Sequence, residues 1–99
     1  MKLYEIAHSR TGDKGNISTI SVIAYDEADF PLLERLVTAE RVLSHFANLG
    51  AEQVERYVLP NLGALNFVLH NTLDGGVTQS LALDTHGKSL SGWMLEMEI

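Results

Sequence analysis

ISTISVIAY, residues 17–25, is the strongest strand signal in this chain. The stretch is rich in β-branched residues, which favour the extended backbone of a sheet. Its apolar side chains fall on both faces of the predicted strand: Ile17, Ile23 and Tyr25 on one, and Ile20, Val22 and Ala24 on the other. One face of the sheet must pack on the protein's own core. We expect another subunit to cover the second face.

Strands and helices are predicted on both sides of this strand. Upstream, residues 2–8 (KLYEIAH) form a strand, and a polar loop joins it to residue 17. Downstream the predicted order is helix, helix, strand, helix, strand, strand: a helix that starts at Asp29 with Pro31 in its first turn, a helix from Thr38 to Gly50, a strand at 53–59, a helix at 62–73, and strands at 78–84 and 90–99. The apolar run 67–69 also fits a strand.

The order of these elements predicts the fold class. Helices grouped between strands, with strands joined by short turns, are typical of an α+β sandwich. We therefore expect one domain over residues 1–99, with a mainly antiparallel sheet, helices on one of its faces and a ferredoxin-like arrangement. A chain of this size buries about two thirds of its surface, which is enough for one core.

Composition excludes several classes of protein. Thirteen acidic residues against seven basic ones give a net charge of −6, which disfavours binding to nucleic acid. No apolar stretch reaches the about 20 residues of a membrane helix, and no signal peptide precedes the first strand. The chain has no cysteine, so it has no disulfide or thiolate chemistry. These features predict a cytoplasmic protein without membrane or nucleic-acid partners.

The loop HSRTGDKGN, residues 8–16, is the first candidate site. Its two glycines allow backbone amides to converge on an anion, while an arginine and a lysine supply positive charge. We predict that it binds a small anionic metabolite through Arg10, Gly12, Asp13, Lys14, Gly15 and Asn16. His8 is a candidate proton carrier. A solvated turn in which Asp13 pairs with a base explains the same residues without a ligand.

A second polar group lies in the predicted helix at 62–73. Asn66 and His70 are four residues apart, which makes them neighbours on one helix face, and Asn61 precedes them. If this group lies beside the 8–16 loop, the two form one site, with an acyl chain against Leu62, Phe67 or Tyr57. Alternatively, Asn61 is a helix cap and His70 is solvated.

Other motifs favour structural roles. The segment Asp84–Ser89 has the composition of a hairpin turn. The four histidines (8, 45, 70 and 86) show no spacing that suggests a metal site. No serine lies in a nucleophile motif. We therefore predict no metal.

Three separated motifs resemble the AtuA-like ferredoxin-fold domain of the acyclic terpene utilisation family. They are the loop HSRTGDKGN, the run LPNLGALNFVL and the ending DTHGKSL…LEMEI. The matching residues are His8, Arg10, Gly12, Asp13, Lys14 and Gly15 in the first, Asn61, Gly63, Asn66 and Phe67 in the second, and Gly75, Gly76, Asp84, Gly87 and Lys88 in the third region. The chain departs from the family pattern after Gly15, where relatives often carry an acidic or extra polar residue and this chain has Asn16.

The resemblance implies a small accessory subunit. In that family the domain is a separate small protein or is fused to a much larger AtuA-type domain, and the family is associated with catabolism of branched, terpenoid acids as coenzyme A thioesters. We expect no resident cofactor, and the substrate is either a branched acid or its coenzyme A thioester. We expect a homodimer where no larger partner is present. Two other functions stay open: a stand-alone hydratase or isomerase that uses His8 or His70, and an oligomeric ligand-binding module.

Overall fold

The computed structural model describes residues 1–14, 17–70 and 90–99, without the side chains of Asp13 and Lys14. Within this part of the chain, four antiparallel strands form one sheet in the order β1-β2-β4-β3. The strands are β1 (Ala7–Lys14), β2 (Ile17–Ala24), β3 (Gln53–Leu59) and β4 (Ala64–His70), and the helices are α1 (Phe30–Leu36), α2 (Ala39–His45) and α3 (Leu90–Leu95). The predicted α+β class with an antiparallel sheet is confirmed.

The three helices pack on one face of the sheet. The core joins apolar side chains of the two central strands to those of every helix. Its fully buried members in these elements are Ile20 and Val22 of β2, Leu65, Phe67 and Leu69 of β4, Leu33 of α1, Val42 of α2 and Met94 of α3. Alternation along β2 and β4 places these residues on the helix side. The remaining residues of the two strands therefore lie on the opposite face.

The predictions for β2, β3, α1 and α2 are confirmed, because local signals determine these elements. The amide of Arg41 donates to Thr38 Oγ1 at 3.2 Å, which caps α2 as expected. Pro31 lies in the first turn of α1. Gly50 has a φ of 91° and ends the 3₁₀ turn that follows α2.

The helix predicted at 62–73 is wrong. A 3₁₀ turn at Pro60–Leu62 and the left-handed Gly63 (φ 59°) reverse the direction of the chain after β3. Residues 64–70 then form β4, which lies between β2 and β3. The run ALNFVLH fits either structure locally, but in the sheet every second side chain is buried. Two neighbouring strands supply its hydrogen bonds, which outweigh the local helical pattern. Asn61 is therefore in a turn and caps no helix.

Two further predictions are corrected. The N-terminal strand begins at Ala7 rather than at residue 2, because Leu3–Glu5 form a 3₁₀ turn in which Glu5 accepts a hydrogen bond from the Lys2 amide at 2.8 Å. The strand predicted at 90–99 is helical over Leu90–Leu95, since residues 90 and 94 are one helical turn apart and both lie in the core. The predicted strand at 78–84 and the turn after it lie outside the described residues.

Reciprocal hydrogen bonds join α2 to α3. His45 Nε2 donates to the carbonyl of Trp93 at 2.7 Å, and Trp93 Nε1 donates to the carbonyl of His45 at 2.9 Å. The two rings stack with their centres 4.4 Å apart. Burial lowers the pKa of His45 from its ordinary value, against the opposing effect of the Trp93 carbonyl. The neutral ring thus acts as a structural link.

Candidate functional site

The segment predicted as a glycine-rich loop is a strand over most of its length. Residues 8–14 belong to β1, where Gly12 pairs with Thr19 and its carbonyl accepts a hydrogen bond from Thr19 Oγ1 at 3.3 Å. The expected loop conformation is wrong here, because an extended, paired strand does not curl its amides around an anion. Gly15 and Asn16 lie outside the described residues. Asp13 and Lys14 are the strand partners of Ser18 and Ile17.

The sheet face opposite the helices, which we call the open face, collects most of the predicted site residues. Strand pairing arranges it in rows: His8–Ile23–Ala64–Leu59, Arg10–Ser21–Asn66–Tyr57, Gly12–Thr19–Val68–Glu55 and Ile17–His70–Gln53. Arg10 and Asn66 share a row two strands apart, which is about 10 Å between their Cα atoms. The register therefore places two predicted ligand-binding residues on one surface.

A chain of three hydrogen-bonded side chains joins β3 to β4 on the open face. Tyr57 Oη donates to Glu55 Oε1 at 2.6 Å, and Glu55 Oε2 lies 2.7 Å from Nε2 of His70. Glu55 thus uses both carboxylate oxygens. His70 pairs with Gln53 in the strand register, so it meets Glu55 diagonally. The three residues hold one another in place on an otherwise exposed surface.

The pKa shifts of Glu55 and Tyr57 indicate which of the hydrogen-bonded side chains is charged. The hydrogen bond from Tyr57, followed by that with His70, lowers the pKa of Glu55. The carboxylate beside it raises the pKa of Tyr57. Glu55 is therefore ionised and Tyr57 is a neutral donor at neutral pH. An ionised carboxylate only accepts hydrogen bonds, so Nε2 of His70 carries a proton.

Polar groups in the neighbouring row are available to a ligand. Ser21 Oγ donates to Asn66 Oδ1 at 3.3 Å, which leaves the Asn66 amide nitrogen without a partner among the described residues. Arg10 is exposed, and no described hydrogen bond or ion pair engages it. A guanidinium without a described partner, in the same row as an amide donor, suits a carboxylate or phosphate.

Exposed apolar side chains lie at one end of the open face. Tyr25 is 66% exposed and stacks on His8 with ring centres 5.2 Å apart. Leu59 is 38% exposed at the end of β3, and Leu62 is 69% exposed in the turn before β4. We call Tyr25, Leu59 and Leu62 the apolar corner. Asn61 is exposed in the same turn as Leu62.

Sequence reasoning missed Glu55 as a site residue and gave Tyr57 only an apolar contact. The available signal was the alternation in QVERYVL, which places Gln53, Glu55 and Tyr57 on one face of β3. The alternation identifies one face of β3, but a site can be recognised only when the strand that pairs with β3 is known. With 62–73 taken as a helix, nothing connected Glu55 to His70.

The helix side of the molecule has a separate shallow groove of about 350 Å³, lined by Arg41, Ser44, His45, Met97 and Glu98. It contains none of the predicted site residues. Among the described residues, no cluster of three or more histidine or acidic side chains could hold a metal ion. In the same part of the chain, no helix is long and apolar enough to cross a bilayer.

A model of the AtuA ferredoxin-like domain matches residues 1–99, and the chain belongs to that family. The match covers the whole sequence and confirms both the resemblance and the ferredoxin-like fold drawn from the motifs. No curated protein and no solved structure matches the chain significantly.

Proposed function

With membership of the AtuA ferredoxin-like family as the premise, we propose that this chain is the small accessory subunit of an AtuA-type complex. The complex acts on branched, terpenoid-like acids carried as coenzyme A thioesters in the cytoplasm. One observation carries the proposal: the open face presents a connected polar chain and an arginine with no partner among the described residues, and no described helix packs on it. Such a surface suits a partner that completes the site.

The size of the open face favours a larger partner over a second copy. Four strands about 4.8 Å apart and seven residues long at about 3.3 Å each give roughly 450 Å². A stable interface removes about 800 Å² from each partner. A partner must therefore extend beyond the sheet onto the apolar corner. Two flat faces stacked together give only a weak homodimer, which we propose where the larger protein is absent.

Charge favours an anionic substrate at this surface. The chain carries a net charge of −6, yet Glu55 is the single acidic residue that the described strands place on the open face. Glu55 is hydrogen-bonded to Tyr57 and His70, whereas Arg10 has no partner in the part of the chain that the structure describes. We propose that Arg10 and Asn66 bind the anionic group, in place of the amides of the predicted glycine-rich loop.

The test is binding to a larger AtuA-type protein encoded beside this chain's gene, measured by calorimetry. Leu62→Ser should weaken binding about tenfold, equivalent to about 1.4 kcal/mol, if the apolar corner is buried in the complex. Tyr4→Ser is the matched control, because Tyr4 is also an exposed apolar residue, at 50%, but lies in the N-terminal 3₁₀ turn. Absence of binding, or equal loss in both variants, contradicts this docking surface.

A second candidate function has a specific observation in its favour. The hydrogen bond between Glu55 and His70 is the arrangement that a stand-alone hydratase or isomerase needs for proton transfer. Turnover of an enoyl or 3-hydroxyacyl thioester by the purified chain alone would favour this candidate. Turnover that requires the larger protein would favour the accessory subunit.

A further inference from the structure

We infer that His70 is the proton carrier of the open face, that Glu55 and Tyr57 position it, and that its substrate is a small keto acid. The inference rests on the second candidate function, the stand-alone enzyme, and names the residue that does its chemistry and a class of compound for it to act on. It concerns the chain itself and is testable without a larger partner.

Hydrogen bonding sets the state of His70. Glu55 is held on both oxygens, so its carboxylate fixes the imidazole in one orientation with the proton on Nε2. In the neutral ring Nδ1 then carries the lone pair, and Nδ1 has no partner among the described residues. His70 remains partly accessible, with 30% of its side chain exposed. A ring held by a carboxylate, with its other nitrogen open to the surface, is the arrangement of a general base.

The other described histidines lack this arrangement. His8, the second candidate from the sequence, stacks on Tyr25 and makes no described contact with a carboxylate. His45 donates to a backbone carbonyl and stacks on Trp93 between two helices. His70 is thus distinguished by its partner, and His8 is a natural control on the same face.

The surroundings of His70 indicate the substrate class. Between the His70 row and the Arg10 row lie the small side chains of Gly12, Thr19 and Val68, which leave room for a ligand along the face. Arg10 and His70 are four residues apart along the strands, about 13 Å, and two strands apart across the sheet, about 10 Å, which is about 16 Å between their Cα atoms. The long arginine side chain shortens this gap. A molecule with a carboxylate at Arg10 and a carbonyl a few carbons away fits this spacing.

The chemical step is a reversible proton transfer. A C–H bond next to the carbonyl breaks, its electron pair moves into the enolate, and the proton passes to Nδ1 of His70. The imidazolium is stabilised by the Glu55 carboxylate. Return of a proton to the enolate restores the substrate and the neutral imidazole, so no other reactant is consumed.

The experiment follows hydrogen–deuterium exchange of 4-oxopentanoate in D₂O by proton NMR with the purified chain. The wild type and His8→Gln should exchange the protons beside the ketone at the same rate. In His70→Gln the protein-dependent exchange rate should be about tenfold lower than in the wild type. This loss is smaller than for an enclosed general base, because the open face is exposed to water. Melting temperatures and a second variant, His70→Asn, control for folding. Equal rates in His70→Gln and His8→Gln overturn the inference.

Two further variants test the positioning residues and the substrate class. In Glu55→Gln the protein-dependent exchange rate should fall, because the carboxylate that orients the imidazole is gone, and Tyr57→Phe should have a smaller effect. Glu55→Asp, which keeps the carboxylate, should recover part of the rate. An unchanged rate in Glu55→Gln overturns the positioning role. Arg10→Gln should raise the half-saturating concentration of 4-oxopentanoate but not of its methyl ester. If neither changes, the keto-acid assignment is wrong. Binding to the AtuA-type protein is a separate measurement, so the two proposals fail independently.

Discussion

Replacement of Ser18 by alanine should stabilise the protein, although serine and alanine are similar in size. Ser18 lies on the helix side of β2 with 0% exposure, and its hydroxyl has no hydrogen-bond partner among the described residues. A buried hydroxyl without a partner costs about 1–3 kcal/mol. Removing the oxygen leaves a void no larger than about 15 Å³, which at about 24 cal/mol per Å³ costs about 0.4 kcal/mol. The net expected gain is about 1 kcal/mol.

Ser21 on the opposite face of the same strand is the matched control. Its hydroxyl donates to Asn66 Oδ1 at 3.3 Å, so Ser21→Ala should lose about 0.5–1 kcal/mol. Urea unfolding measures both free energies, and the gain in Ser18→Ala should raise the melting temperature by about 4–8 °C for a domain of this size. If Ser18→Ala is as destabilising as Ser21→Ala, the Ser18 hydroxyl has a partner in solution and the reasoning is refuted.

Three further measurements test the fold. The free energy of unfolding should fall as the pH drops below 6.5, because the unfolded chain then binds a proton that His45 in the folded protein, with its lowered pKa, takes up only at lower pH. The urea midpoints of His45→Gln and the wild type, measured at three pH values, should therefore become more similar as the pH falls. Gly63→Ala should cost about 1–2 kcal/mol in urea unfolding through its left-handed backbone alone, since a Cβ there meets nothing within 4 Å. Phe67→Ala should cost about 3–5 kcal/mol and Val68→Ala a small fraction of that, because β4 points Phe67 into the core and Val68 to the open face; equal losses would contradict the strand.

Local signals were sufficient for half of the fold. Thr38, Pro31 and Gly50 each act within one turn of their own position, so the helix boundaries they set can be predicted from a short window of sequence. The β-branched stretch of β2 is equally local. The class of fold followed from the order of such elements, and the family match agrees with it.

The central strand β4 could not be predicted in the same way. Leu62, Leu69 and Leu73 fit a helical face, whereas Leu65, Phe67 and Leu69 fit a strand, and the sequence alone contains both patterns. What decides between them is non-local: β4 pairs along its whole length with β2 on one side and β3 on the other. Edge strand β1 also depends on non-local pairing. Its polar and glycine residues are typical of a loop, and its pairing with β2 makes the segment a strand.

The candidate site depends on this pairing. On a helix Asn66 and His70 would be neighbours about 6 Å apart, whereas along β4 they are about 13 Å apart. The strand separates the pair that the sequence suggested and brings His70 to Glu55, fifteen positions away in the chain. A slip of one residue in the β3–β4 register would turn Glu55 and Tyr57 into the core. The same apolar side chains that fill the core, Leu65, Phe67 and Leu69, therefore fix the register that assembles the polar chain on the open face.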